Sequence, residues 1–183
     1  RTFELTNASH LDWEAMASAT LGGVPYLYLG DIGDNGKKRS TIFVHRVREP
    51  DPATASGSLP YTTYEFRYDD GARNAEGMMV NPVTGRLYVV SKVKGAPGGI
   101  YAAPATLSTT SVNILTKVAT APAGMADAVF LQDGQRFVLR GYVSGWLYSG
   151  FGATPVRFDM PLKGESVTTD WSPTAILVGS ESQ

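Results

Sequence analysis

Cysteine is absent from the 183 residues, which removes disulfides, thiolate metal sites and a cysteine nucleophile. Histidine is nearly absent too. His10 and His45 stand alone, and a two-His metal site would need further ligands. No apolar run approaches the roughly 18 residues that a membrane-spanning helix requires. Neither sign of charge is in excess, with 16 Lys and Arg against 17 Asp and Glu, and the basic residues are scattered among acids. No basic stripe therefore invites nucleic acid. Helical periodicity is scarce: the longest helix-like stretch, residues 12–21, is soon cut by Gly22-Gly23 and Pro25. Ser91, Ser144 and Ser180 lie in no recognisable nucleophile motif with a paired His, which disfavours a serine hydrolase. Gly150-Phe-Gly-Ala-Thr154 follows no strand-to-helix signal, which disfavours a phosphate loop.

What the chain has is punctuation and short apolar runs. Twenty Gly and 11 Pro bound runs rich in Tyr, Val, Ile and Phe, at residues 25–30, 40–47, 61–68 and 85–90. Residues 61–68 alternate cleanly, with Tyr64, Phe66 and Tyr68 on one face and Glu65 and Arg67 on the other. Asn81-Pro-Val-Thr-Gly85 and Gln132-Asp-Gly-Gln135 read as hairpin turns. The class is all-β with antiparallel neighbours, and the length fits a single domain.

The runs also repeat in order. Glu14, Glu76, Asp127 and Glu165 each open a unit in which an acid is followed by small and apolar residues, a turn and an apolar strand. The units recur about every 40 to 60 residues, the period of four-stranded propeller blades. Residues 40–47 and 61–68 complete the first blade, 99–102 and 113–118 the second, and 145–148 and 156–160 the third. Residues 2–5 read as the outer strand of a preceding blade, and a last blade stops two strands short. The expectation is one β-propeller domain over residues 1–183, with about three full blades and two partial ones, incomplete at both ends. Arg1 is preceded by neither an initiator Met nor a signal-peptide pattern. Closing such a propeller takes missing or partner segments, because open sheet edges must be covered.

Several segments together resemble a family of exported bacterial β-propeller proteins, common in actinobacteria. They are Asp12-Trp-Glu-Ala-Met-Ala17, Gly30-Asp-Ile-Gly-Asp-Asn35, Val44-His-Arg-Val-Arg-Glu-Pro50, Asn74-Ala-Glu-Gly77 with residues 81–92, and Lys163-Gly-Glu-Ser-Val167. The likeness covers essentially the whole chain. It departs at Asn74-Ala-Glu-Gly77, where the family usually has Asp-Ala-Glu-Ala, and beyond Ser182, where the family's last strand continues. The resemblance implies a portion of a five-bladed propeller and an extracellular or cell-envelope setting. It supplies no reaction.

In a propeller the first strand of each blade lines the axis, so Glu14, Glu76, Asp127 and Glu165 should ring one mouth of the channel. Asp31, Asp34, Asn35, Ser91, Lys92, Arg140 and Glu181 should lie around them. Converging carboxylates raise one another's pKa unless a counter-charge intervenes. Two readings of the ring stand. In one, the four acids are ligands to a hard cation, Ca²⁺ or Mg²⁺, as in some five-bladed calcium-dependent nucleotidases, a geometric analogy only. In the other, they accept backbone N–H bonds and pin blade to blade, with Lys92 and Arg140 neutralising two of them.

Gly30-Asp-Ile-Gly-Asp-Asn-Gly36 resembles half a calcium loop, but a turn in which Asp and Asn bond their own backbone is favoured. Lys92 and Arg140 are the anion-binding candidates, with Asp31 and Asp34 as further ligand-binding candidates. Trp13, Tyr142, Trp146 and Trp171 offer stacking platforms, though packing between blades is favoured for them. A binding or interaction module ranks first, taking a small-molecule or protein ligand at the mouth. A metal-dependent hydrolase of phosphoesterase type ranks second, and a purely structural repeat third.

Overall fold

Turn chemistry cuts this chain into short strands. The computed structural model describes residues 1–170 and 175–180. Its strands begin with β1 (Phe3–Glu4), β2 (Trp13–Leu21), β3 (Val24–Asp31), β4 (Ile42–Arg48), β5 (Gly57–Ser58) and β6 (Tyr61–Tyr68). They continue with β7 (Ala75–Val80), β8 (Leu87–Ser91), β9 (Gly98–Ala102) and β10 (Asn113–Ala121). Next come β11 (Asp127–Phe130), β12 (Phe137–Arg140), β13 (Ser144–Tyr148) and β14 (Val156–Asp159), and finally β15 (Ser166–Thr169) and β16 (Ile176–Gly179). The class is all-β, as the sequence predicts, and no helix occurs among the described residues.

Residues 12–21, the most helix-like stretch, form strand β2 instead. Alternation outweighs the alanine content: Ala15, Ala17, Ala19 and Leu21 turn to the core, while Met16, Ser18 and Thr20 stay exposed. At the 81–85 turn the Asn81 carboxamide oxygen accepts the N–H groups of Val83 and Thr84, both at 3.0 Å. The Asn81 side-chain amide also donates to the Gly134 carbonyl at 2.6 Å, tying two hairpin turns together. Gly134 has a φ of 67°, a conformation that glycine adopts without strain.

Eight strands form one sheet in the order β2-β3-β4-β6-β10-β9-β8-β7. Neighbours run antiparallel except β6 and β10, which pair in parallel at Asn113 opposite Phe66. The edge strands β2 and β7 lie against each other, so the sheet nearly closes and is barrel-like. Its interior holds Ile32, Val44, Phe66, Met78, Val89 and Leu115, all fully buried. Burial of each such side chain contributes roughly 1.5–3 kcal/mol relative to exposure.

A four-stranded antiparallel sheet, β11-β12-β13-β14, follows, and then the β15-β16 pair. Strand β11 packs beside β7 on one side and β15 on the other. A second core, with Phe130, Phe137, Leu139 and Met125, sits between this sheet and the preceding strands. Residues 2–5, expected as an outer strand of a preceding unit, contribute β1, which pairs in parallel with β5. No helix among the described residues is long and apolar enough to cross a membrane.

Candidate functional site

Glu14, Glu76, Asp127 and Glu165 come from four separate strands or strand entries and line one cavity of about 900 Å³. Its walls are β2, β7, β11 and the β15-β16 pair, with Trp13, Met16, Leu27, Leu177 and Val178 as apolar lining. The ring of acids expected from the repeat is thus a spatial group. Lys92, Arg140, Asp31 and Asp34 stand outside that lining.

Local pairing decides how each acid is presented. Glu14 is the extra residue between the Trp13–Asp31 and Ala15–Gly30 pairs, and Glu76 is the extra residue between Ala75–Ser91 and Gly77–Val90. Both therefore sit at β-bulges, which re-aim a side chain out of the regular pleat. Asp127 lies in an unbroken ladder opposite Arg140. Glu165 precedes β15 and is half-buried.

Glu76 is paired with the Lys92 ammonium. That ammonium also lies over the Tyr142 ring, 5.0 Å from its centre. Burial opposes the charge on Lys92, but Glu76, Tyr142 and Glu165 outweigh it and raise the Lys92 pKa. The Glu165 carboxylate acts on the Tyr142 hydroxyl and raises the phenol pKa. Glu14 is pushed up to about 7, by burial first and then by the charges of Glu76 and Asp12, against the opposing pull of Lys92.

Asp127 follows the blade-pinning reading. Its Oδ1 accepts the Ala128 N–H and its Oδ2 accepts the Val167 N–H on β15, both at 2.8 Å. Burial nevertheless pushes its carboxyl up to about 7, against these two donors and the Arg140 charge. Arg140 is fully buried. Its Nε donates to the Gly164 carbonyl at 3.0 Å, and one Nη donates to Leu162 at 2.8 Å and Gly179 at 3.3 Å. These contacts leave Arg140 anchoring the loop before β15 and hold it away from the cavity surface.

Asp31 and Asp34 belong to a buried polar knot at the start of the 32–41 connection. Asp31 pairs with Arg39 at 2.8 Å and accepts from Ser9 Oγ at 2.5 Å and from the Asp12 N–H at 2.8 Å. Burial pushes the Asp31 pKa up, but the bonds from Arg39, Ser9, Asp12 and Leu11 prevail and lower it. Asp34 accepts the N–H groups of Lys38 and Arg39, and its own N–H donates to Asn74 Oδ1 at 2.7 Å. The turn reading of residues 30–36 thus describes this loop. Gly33 is needed for close approach: a Cβ there would fall 2.3 Å from the Asp12 carboxyl.

Among the described residues, no group of three or more His, Asp or Glu side chains converges closely enough to hold a metal ion. Trp171 and Glu181 lie outside the described residues. Asp12 and Tyr142 join the site as partners of Glu14 and of Lys92 and Glu165, roles that sequence reading missed. Asp12 stands two residues before Glu14, a spacing that could have signalled it, but Tyr142 reaches Lys92 only through tertiary packing. Arg39 was also missed, eight positions from the Asp31 it neutralises. Comparison with protein-family models and with curated proteins finds no match to either.

Proposed function

We propose that this chain is a binding module, part of an exported β-propeller whose acid-lined axial mouth takes a cationic ligand. The propeller reading is supported by the repeat of acid-headed units and by the side-by-side order β2, β7, β11, β15 of their first strands. On this reading, β2-β3-β4-β6, β7-β8-β9-β10 and β11-β12-β13-β14 are blades, and β15-β16 begins another of about five. The exported setting rests on the family resemblance.

The observation that carries the binding reading is the convergence of Glu14, Glu76, Asp127 and Glu165 on one cavity of about 900 Å³. Such a volume suits a small molecule or an inserted side chain, and a cation would relieve the repulsion that adds to burial in raising the Glu14 pKa. The acids as arranged are not a preformed Ca²⁺ shell, since Glu76 is held by Lys92 and both Asp127 oxygens by backbone. No three acids among the described residues converge as they stand, so a Ca²⁺ site would need Glu14, Glu76 and Glu165 to draw together with Lys92 displaced. The hydrolase alternative loses one arm, because Arg140, proposed to stabilise developing negative charge, is committed to carbonyl oxygens.

Thermal melting with Ca²⁺, Mg²⁺ and a chelator control tests the cation reading. Saturating Ca²⁺ is expected to raise Tm by several degrees, and Glu76→Gln with Glu165→Gln to abolish the shift. An unchanged Tm in wild type removes Ca²⁺ as the occupant.

A further inference from the structure

The rim of the acid cavity already holds a cation: the chain's own Lys92. Its ammonium is paired with Glu76 and sits 5.0 Å above the Tyr142 ring. Glu165 lies near enough for its charge to act on both the Tyr142 hydroxyl and Lys92. A carboxylate on one side, an aromatic face on another and a second carboxylate nearby are the elements by which proteins recognise an alkylammonium. Tyr142 is 43% exposed, unlike the buried aromatics of the core, so its ring forms the outer wall. Lys92 itself is only half-buried and follows the last residue of β8, at the start of a connection, where its flexible stem can swing out.

We propose that Glu76, Tyr142 and Glu165 form an ammonium subsite, occupied here by Lys92 as a tethered stand-in, and that the external ligand presents a primary alkylammonium that displaces it. A lysyl side chain of a polypeptide or a small diamine has this chemistry. The proposal rests on the reading of the mouth as a cation site and specifies which cation. Lys92 acts as a built-in competitor. A tethered group competes at an effective concentration of about millimolar or higher, so a free amine must exceed that level in the wild type. The ligand that succeeds must therefore gain further contacts in the adjoining cavity, where Glu14 and the apolar wall of Met16 and Leu177 are available.

The test replaces the tether with a free probe. Lys92→Ala removes three methylenes and the ammonium, which n-propylammonium supplies in solution. Melting and calorimetric titration of wild type, Lys92→Ala and Lys92→Ala/Tyr142→Leu with n-propylammonium chloride read the result. Lys92→Ala is expected to bind the amine saturably, with a Tm rise of several degrees, and wild type at least about tenfold more weakly. Loss of the Tyr142 ring should remove most of that binding, and 1-propanol should produce none of it. Equal affinity in wild type and Lys92→Ala, an equal response to 1-propanol, or no saturable binding by folded Lys92→Ala overturns the proposal. Should Lys92→Ala not fold, Lys92→Met keeps the stem as far as the Cε position and is titrated with ammonium chloride against the same criteria. A Ca²⁺ shift in wild type without amine binding in the variant keeps the cation site and removes the ammonium assignment, whereas absence of both removes both.

Discussion

Glu76 on β7 and Asp127 on β11 occupy corresponding places in neighbouring units, yet one serves the cavity and the other serves the fold. Glu76 stands at a bulge, its longer side chain leaves the pleat, and its partner is the half-buried Lys92. Asp127 stands in an unbroken ladder, and its shorter side chain reaches only the N–H groups of Ala128 and Val167. The basic residue of each unit follows suit: Lys92 lies at the rim, while Arg140 is buried against three carbonyl groups. One repeat thus has an open version, with Glu and a bulge, and a closed version, with Asp in register. Glu14, also at a bulge, belongs to the open version.

Removing Arg140 should most severely break the closed version. Arg140→Leu leaves the carbonyls of Leu162, Gly164 and Gly179 without this donor, the Gly164 bond being fully buried and the other two partly so. The expected loss is about 3 kcal/mol or more, read from the shift in denaturant midpoint at constant slope. Binding of the cationic probe at the open rim should be unchanged while the protein remains folded. A loss below about 1 kcal/mol would mean that the closed version is not held by this side chain.

The paired substitutions Asp127→Ala and Glu76→Ala sharpen the contrast directly. Asp127→Ala strands two backbone N–H groups, one of which links β11 to β15, and should cost roughly 2 kcal/mol. Glu76 is itself buried, but Glu76→Ala strands no backbone N–H and leaves an ammonium that can turn to Glu165 or water, so a smaller loss of about 1 kcal/mol is expected. Equal losses in the two variants, measured by the same denaturation, would erase the distinction between open and closed acids.

Much of this was legible in the sequence, and the limits are physical. Alternation and turn residues placed the strands to within a residue or two, as at Tyr61–Tyr68, and the acid-headed repeat placed four side chains on one cavity. The repeat could not say which acid would be free, because that depends on register: a bulge adds one residue to one strand and leaves only a faint trace in composition. The fate of Arg140 was likewise hidden. A basic residue at a strand end reads as an anion site, and only the approach of the 162–164 loop and Gly179 turns it into a structural donor. Residues 2–5 do contribute a strand, but the partner of so short a strand, here Gly57–Ser58, is chosen by tertiary contacts that the repeat does not report.

The smallest expected effect separates two acids on the same pair of strands, Glu14 on β2 and Asp31 on β3. The folded pKa of Glu14 is about 7, above its ordinary 4.5, so the fold favours its protonated form. Its contribution to stability is fully present below about pH 4.5 and is lost as pH rises toward 7. Asp31 has the opposite sign. With its pKa held below the ordinary 3.8, its contribution is present above that pH and is lost as pH falls through its folded value. Glu14→Gln keeps a neutral side chain of similar shape and should flatten the decline in stability between pH 4.5 and 7, by less than about 1 kcal/mol given the solvent around this group. Asp127, raised in the same direction, contributes a residual slope that Glu14→Gln leaves in place. Denaturant unfolding at half-unit pH steps measures both. An unaltered slope in Glu14→Gln would show that this carboxyl ionises in the fold as it does in water, and the open mouth would then carry its full negative charge at neutral pH.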